Sequence, residues 1–115
     1  GSTPPPPGTI LDPGGRGLTI TAVQVANSGN QVLHIRDVWI HVYDPLGNTP
    51  YRSLLAYPFD YPILTTPEFN HIQPGDLFRL NLEPFHVPPG SWARVEIALG
   101  SDTGAFGVVS VEVAP

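Results

Sequence analysis

The chain has no cysteine, no methionine and no lysine; all five of its basic residues are arginine. Without cysteine there can be no disulfide, no thiolate metal site and no thiol nucleophile. Without lysine there is no Schiff base, no phosphate-gripping P-loop and no lysine–asparagine isopeptide staple. Charged residues are scarce, 13 % of 115, and the formal net charge is −5. That is the wrong sign for holding a phosphate backbone, so no nucleic-acid partner is expected. No apolar run approaches the roughly 20 residues of a membrane helix, so no membrane insertion by this segment is expected. No Asn-x-Ser/Thr sequon occurs either, since Asn48-Thr49-Pro50 fails on spacing.

What the chain has in quantity is proline, 15 residues, and glycine, 12. Gly1-Ser2 reads as a tag remnant at the head of a piece cut from something longer. Pro4–Pro7 lock φ and lack N–H donors, which makes an extended stem. Residues 1–16 are therefore read as a Pro/Gly-rich linker and residues 17–115 as one folded domain, a length that supports a single core without staples.

From Gly17 onward short apolar alternations are separated by turn residues. Leu18, Ile20 and Ala22 share one face, then Val23 and Val25 take over, and the slip of phase predicts a bulge. Asn27-Ser28-Gly29-Asn30 ends that run. Val38, Ile40 and Val42 alternate with Trp39, His41 and Tyr43, as in a strand with bulk on both faces. Asp44-Pro45-Leu46-Gly47-Asn48 stops it. Pro58 and Pro62 make Tyr51–Leu64 an edge segment or a long loop. Gln73-Pro74-Gly75-Asp76 has proline and glycine where a type II turn wants them. Phe78, Leu80 and Leu82 follow; Ala93, Val95, Ile97 and Leu99 come after the turn at Pro88-Pro89-Gly90. Ser101-Asp102-Thr103-Gly104 closes a hairpin into Val109, Val111 and Val113. Six to eight short strands without a helical stretch predict an all-β, antiparallel sandwich of immunoglobulin-like type.

The order of Leu18-Thr19-Ile20-Thr21, Asn27-Ser28-Gly29, Asp37-Val38-Trp39-Ile40-His41-Val42-Tyr43-Asp44-Pro45-Leu46-Gly47-Asn48 and Ile72-Gln73-Pro74-Gly75-Asp76 resembles the immunoglobulin-like modules of FxLYD type in extracytoplasmic proteins. It is similar, less closely, to the globular heads of archaeal pilins and archaellum components. The resemblance covers residues 17–113 and brings no catalytic residues to carry over. It implies an accessory, adhesive or filament-building role outside the cytoplasm. The chain departs from it in the aromatic Tyr51–Leu64 stretch and in having no N-terminal hydrophobic helix of the pilin kind.

Chemistry-bearing patterns are thin. Asp102-Thr103-Gly104 has the letters of an aspartic-protease motif, but only 11 residues follow it, too few for the supporting segments, and it reads as a hairpin tip. The histidines, His34, His41, His71 and His86, include no His-x-His pair. His34 and His41 stand an odd number apart, on opposite faces of an unbroken strand. His71 lies near Glu68 and His86 near Glu83, which leaves a metal site conceivable. No G-x-S-x-G elbow occurs, and Gly14-Gly15-Arg16-Gly17 precedes a strand, where a nucleotide loop precedes a helix. No enzyme, no metal and no cofactor are expected.

The richest local feature is Tyr51, Arg52, Tyr57, Phe59 and Tyr61, a rigid aromatic stretch of the composition found at protein interfaces. These five are the candidate binding residues. The expected function is that of a non-catalytic structural or protein-interaction module of a secreted or cell-surface assembly, associating with itself or with another protein. The alternative is a carbohydrate-binding module that exposes Trp39, Trp92 or Tyr57 on a flat strip.

Overall fold

The computed structural model describes residues 16–57 and 71–115. Seven strands follow one another: β1 (Leu18–Ala26), β2 (Leu33–Tyr43), β3 (Arg52–Tyr57), β4 (His71–Ile72), β5 (Leu77–Val87), β6 (Trp92–Ser101) and β7 (Phe106–Val113). They form two antiparallel sheets, the larger in the order β3-β2-β6-β7 with the short β4 beside β2, the smaller of β1 and β5 alone. β6 runs along the whole of β2, while β4 meets it at Leu33–His34 and β3 at Val38–Val42, so β3 and β4 share its other edge. The all-β sandwich expected from the alternation is the fold. Phe59 and Tyr61 lie outside the described residues.

The core forms where the two layers face each other. Val38, Ile40 and Val42 pair across the ladder with Ile97, Val95 and Ala93, and all six are buried. Ile20, Val23 and Val25 of β1 and Leu82, Phe85 and Val87 of β5 close over them. Each such side chain contributes about 1.5–3 kcal/mol by leaving water. On the outer face of the larger sheet, Tyr43 stacks on Trp92 with ring centroids 4.2 Å apart, and the Trp92 indole N–H donates to the Asp44 carbonyl at 3.1 Å.

Turn chemistry sets the strand ends. Gly75 sits at φ 85 and the Asp76 N–H donates to Gln73 O at 3.0 Å, closing the expected turn. At the Asp102–Gly104 tip, the Gly104 N–H donates to Ser101 O at 3.0 Å, so these residues join β6 to β7. Asn27, exposed-looking in sequence, is buried at 2 %. Its amide donates to Gln31 O at 2.6 Å and Ile72 O at 2.9 Å, and its Oδ1 accepts from the Gly29 N–H at 3.0 Å.

Two bulges place the side chains. In the first, Thr21 alone stands opposite Leu82, Glu83 and Pro84, between the pairs Ile20–Phe85 and Ala22–Asn81. Pro84, which has no N–H, falls where the ladder is interrupted, and the slip turns both Ile20 and Val23 inward. The second bulge puts an extra residue, Arg36, between Ile35–Leu99 and Asp37–Ala98. It corrects the expectation for the histidines. His34 pairs with Gly100 and His41 with Arg94, positions six apart on an uninterrupted β6, so the two imidazoles share the outer face.

Candidate functional site

The aromatic stretch does not gather into one surface. Tyr51 is exposed, but its hydroxyl hydrogen-bonds the Ser91 hydroxyl at 2.7 Å. Arg52 opens β3 with its guanidinium 4.9 Å from the centre of the Phe85 ring. Tyr57, at the far end of β3, packs against the core. Tyr51 and Tyr57 are separated by the length of a strand, roughly 20 Å.

The outer face carries a second aromatic row. The rings of Trp39 and His41 are parallel to within 1°, with centroids 6.0 Å apart. His41 Nδ1 and the Ser53 hydroxyl lie 2.7 Å apart, and His41 Nε2 lies 3.6 Å from the Glu96 carboxylate. Arg94 sits over Tyr43 and Trp92 and reaches Glu112 at 3.2 Å. Of the rings expected on a flat strip, Trp39 is 37 % exposed, whereas Trp92 is buried at 6 % and Tyr57 packs inward.

A different feature follows from the unequal widths of the layers. Two strands cannot cover four. β5 touches β3, and β1 faces Val95 and Ile97 of β6 across a groove, so among the described residues the inner side of β7 is only partly covered. By their pairing with Ile97, Val95 and Ala93, Val109, Val111 and Val113 point toward the core. Yet Val109 is 47 % exposed and Val111 and Val113 are half-buried. The row faces the core side, and Val113 packs against the core cluster, but the described residues cover it only in part.

The result is an open groove of about 410 Å³, lined by residues 18–24 of β1 and by Val95, Ile97, Val111 and Val113. Seven consecutive strand residues alternate faces, so what bounds the groove is the edge of β1, with its row of backbone N–H and C=O groups. Among the described residues β1 pairs with β5 alone, on its other side. Its nine residues, LTITAVQVA, contain no charge and no proline, the devices by which exposed edges are ordinarily blunted. A cavity of ~150 Å³ holds a benzene-sized group, so this groove has room for two or three apolar side chains. That is what one face of a five-residue strand presents. The sequence left one trace of it, a strand with neither charge nor proline; the partial cover depends on how the layers overlap and belongs to no single residue.

No family model matches the chain, and no curated protein or solved structure matches it significantly. Among the described residues no helix is long and apolar enough to cross a membrane.

Proposed function

We propose that this domain is a non-catalytic protein-interaction module that takes an extended strand from a partner into the gap between β1 and β7. The observation that carries this reading is the nine-residue edge of β1, unpaired among the described residues, standing over a valine row that they cover only in part. A strand laid along β1 would gain a backbone ladder on one side and bury alternate side chains against Val95, Ile97, Val111 and Val113, the strand-addition mode of recognition. Read as an immunoglobulin-like layout, the order β3-β2-β6-β7 would stand for the sheet containing C, F and G, and β1-β5 for B and E, which supports the reading. In that layout the position beside β1 belongs to one more strand.

The occupant is an extended segment of another protein with apolar residues at alternate positions and basic flanks. The basic flanks follow from the net charge of −5 and favour encounter. The chain's own upstream residues are a poor donor by sequence. Pro4–Pro7 have no N–H to give a ladder and Asp12-Pro13-Gly14-Gly15 is turn chemistry. This leaves Thr9-Ile10-Leu11 against nine edge residues. Placement in a secreted or cell-surface assembly rests on the resemblance of the turn and strand motifs to extracytoplasmic modules.

The test is hydrogen exchange on the full chain, with and without a synthetic nonapeptide carrying valine at alternate positions and lysine at both ends. Added peptide should slow exchange of the β1 amides that face the groove, and Val111→Glu should abolish the effect. Three results would overturn the proposal: unchanged exchange at millimolar peptide, protection that disappears when residues 1–15 are deleted, and protection that rises with protein concentration alone. The second would assign the gap to the chain's own leader, the third to a second copy.

A carbohydrate-binding reading has one observation in its favour, the half-exposed Trp39 lying parallel to His41. A sugar stacking there would change the fluorescence of wild type and leave that of Trp39→Phe unaltered.

A further inference from the structure

His34, His71 and Asp102 meet at the end of the larger sheet remote from the β2–β3 turn. They come from three places in the chain. His34 lies at the start of β2, His71 is its direct cross-strand neighbour on β4, and Asp102 lies in the tip joining β6 to β7. One ring nitrogen from each histidine and a carboxylate oxygen of Asp102 all lie within 4.8 Å of one another. Around a tetrahedral zinc ion, donors at 2.0–2.1 Å stand about 3.4 Å apart. His71 and Asp102 are exposed and are free to close the difference by side-chain rotation.

Two further observations single out this cluster from a chance grouping of polar residues. The Nδ1 atom of His34 is buried and has no hydrogen-bond partner, so this nitrogen has lost water without recovering a bond, although the residue as a whole is half-buried. Its place is also made for it. Gly100 is its partner on β6, and a Cβ at that position would lie 2.9 Å from His34 Nε2 and 3.0 Å from Cε1. A bare Cα is what lets the imidazole lie down across the sheet beside Asp102. The Arg36 stem lies over the same glycine, its Cδ 3.3 Å from where that Cβ would be, and its guanidinium sits over the Phe106 ring, 5.1 Å from the centroid.

We infer that His34, His71 and Asp102 form a binding site for a divalent transition-metal ion, zinc being the ion their two nitrogens and one oxygen suit best. Imidazole favours zinc and its neighbours over magnesium and calcium, which take all-oxygen shells. Three protein donors leave a fourth position for water or for a group from outside the chain. The ion would tie β4, only two residues long, and the β6–β7 tip to the start of β2, linking positions 34, 71 and 102 that are far apart in sequence. This inference is independent of the groove, which is lined by none of these residues.

The experiment is calorimetric titration of the full chain with zinc chloride, with a thermal melt at each zinc concentration and the visible spectrum of the cobalt(II) form. One equivalent should bind with a micromolar Kd, cobalt should give the absorption of a tetrahedral site, and a hundredfold excess over Kd should raise the melting temperature by roughly 10 °C. His71→Ala and Asp102→Ala alter exposed side chains and should each weaken zinc binding at least tenfold, while His86→Ala binds as wild type does. Gly100→Ala, which displaces the His34 ring, should weaken it too. The inference is overturned by no heat and no melting shift at millimolar zinc, by His71→Ala and Asp102→Ala binding as tightly as wild type, or by magnesium binding as tightly as zinc.

Discussion

Asn27 gives the sharpest test of how the two layers are held. It lies just after β1, and its side chain makes three hydrogen bonds from a buried position, to Gln31 O, Ile72 O and the Gly29 N–H. Its backbone is engaged as well, with its N–H donating to Asp76 O and its carbonyl accepting from the Gly75 N–H. The side chain therefore joins the β1–β2 turn to β4. Each net hydrogen bond is worth about 1 kcal/mol, so Asn27→Ala should lose about 3 kcal/mol, a fall in melting temperature of roughly 10–20 °C. Asn27→Asp keeps the shape but replaces the donating amide by an oxygen that faces two carbonyl oxygens, and it buries a charge. The isosteric change should therefore be worse than the truncation. Urea unfolding followed by tryptophan fluorescence reads both values, at an unchanged m-value. A loss below about 1 kcal/mol for Asn27→Ala, or an aspartate variant more stable than the alanine one, would refute the reasoning.

Ile40 is fully buried, so Ile40→Ala should lose about 2–5 kcal/mol in the same assay, and Ile40→Asp or Val95→Asp should abolish the cooperative melt. Gly17 stands at φ +79, where a Cβ would lie 2.5 Å from Val87 O; Gly17→Ala should destabilise the domain by more than Gly90→Ala, whose φ is +84 but whose surroundings are open. The partly exposed pair Arg94–Glu112 should matter little, with Glu112→Gln changing stability by less than about 1 kcal/mol. Trp39 is exposed and Trp92 buried, so Trp39→Phe should remove most of the fluorescence that acrylamide can quench.

Much of this architecture was legible because β-strands write their burial into alternate positions. Val38-Trp39-Ile40-His41-Val42 shows which side faces the core, and Pro74-Gly75 shows where the chain reverses. The bulge in β1 was legible by the same logic, from the change of phase between Ile20 and Val23. An equal change lies in β2, where Leu33 and Ile35 give way to Val38, Ile40 and Val42. Reading β2 as unbroken put His34 and His41 on opposite faces, when Arg36 is the extra residue that brings them together. The encounter of His34 with His71 and Asp102 was not legible, because it depends on β4 and the β6–β7 tip arriving at one end of the sheet. Asn27 looked like turn composition because a buried asparagine that satisfies carbonyls and an exposed one in a turn are the same letter. The groove was hidden for a related reason. Val109, Val111 and Val113 alternate like any core row, and their exposure depends on the width of the opposite layer.

The separation of the sheets bears on the order in which the molecule assembles. β2 with β3 and β6 with β7 pair as near neighbours in the chain, whereas β2 with β6 and β1 with β5 each close a loop of roughly fifty residues or more, and β1 and β5 share no ladder with the larger sheet among the described residues. Closing so long a loop is slow. The small layer, held by a single two-stranded ladder and by side-chain packing, should dock late onto the larger sheet and detach first under stress. A chain caught between these stages would show the whole apolar floor of the larger sheet until β1 and β5 settle.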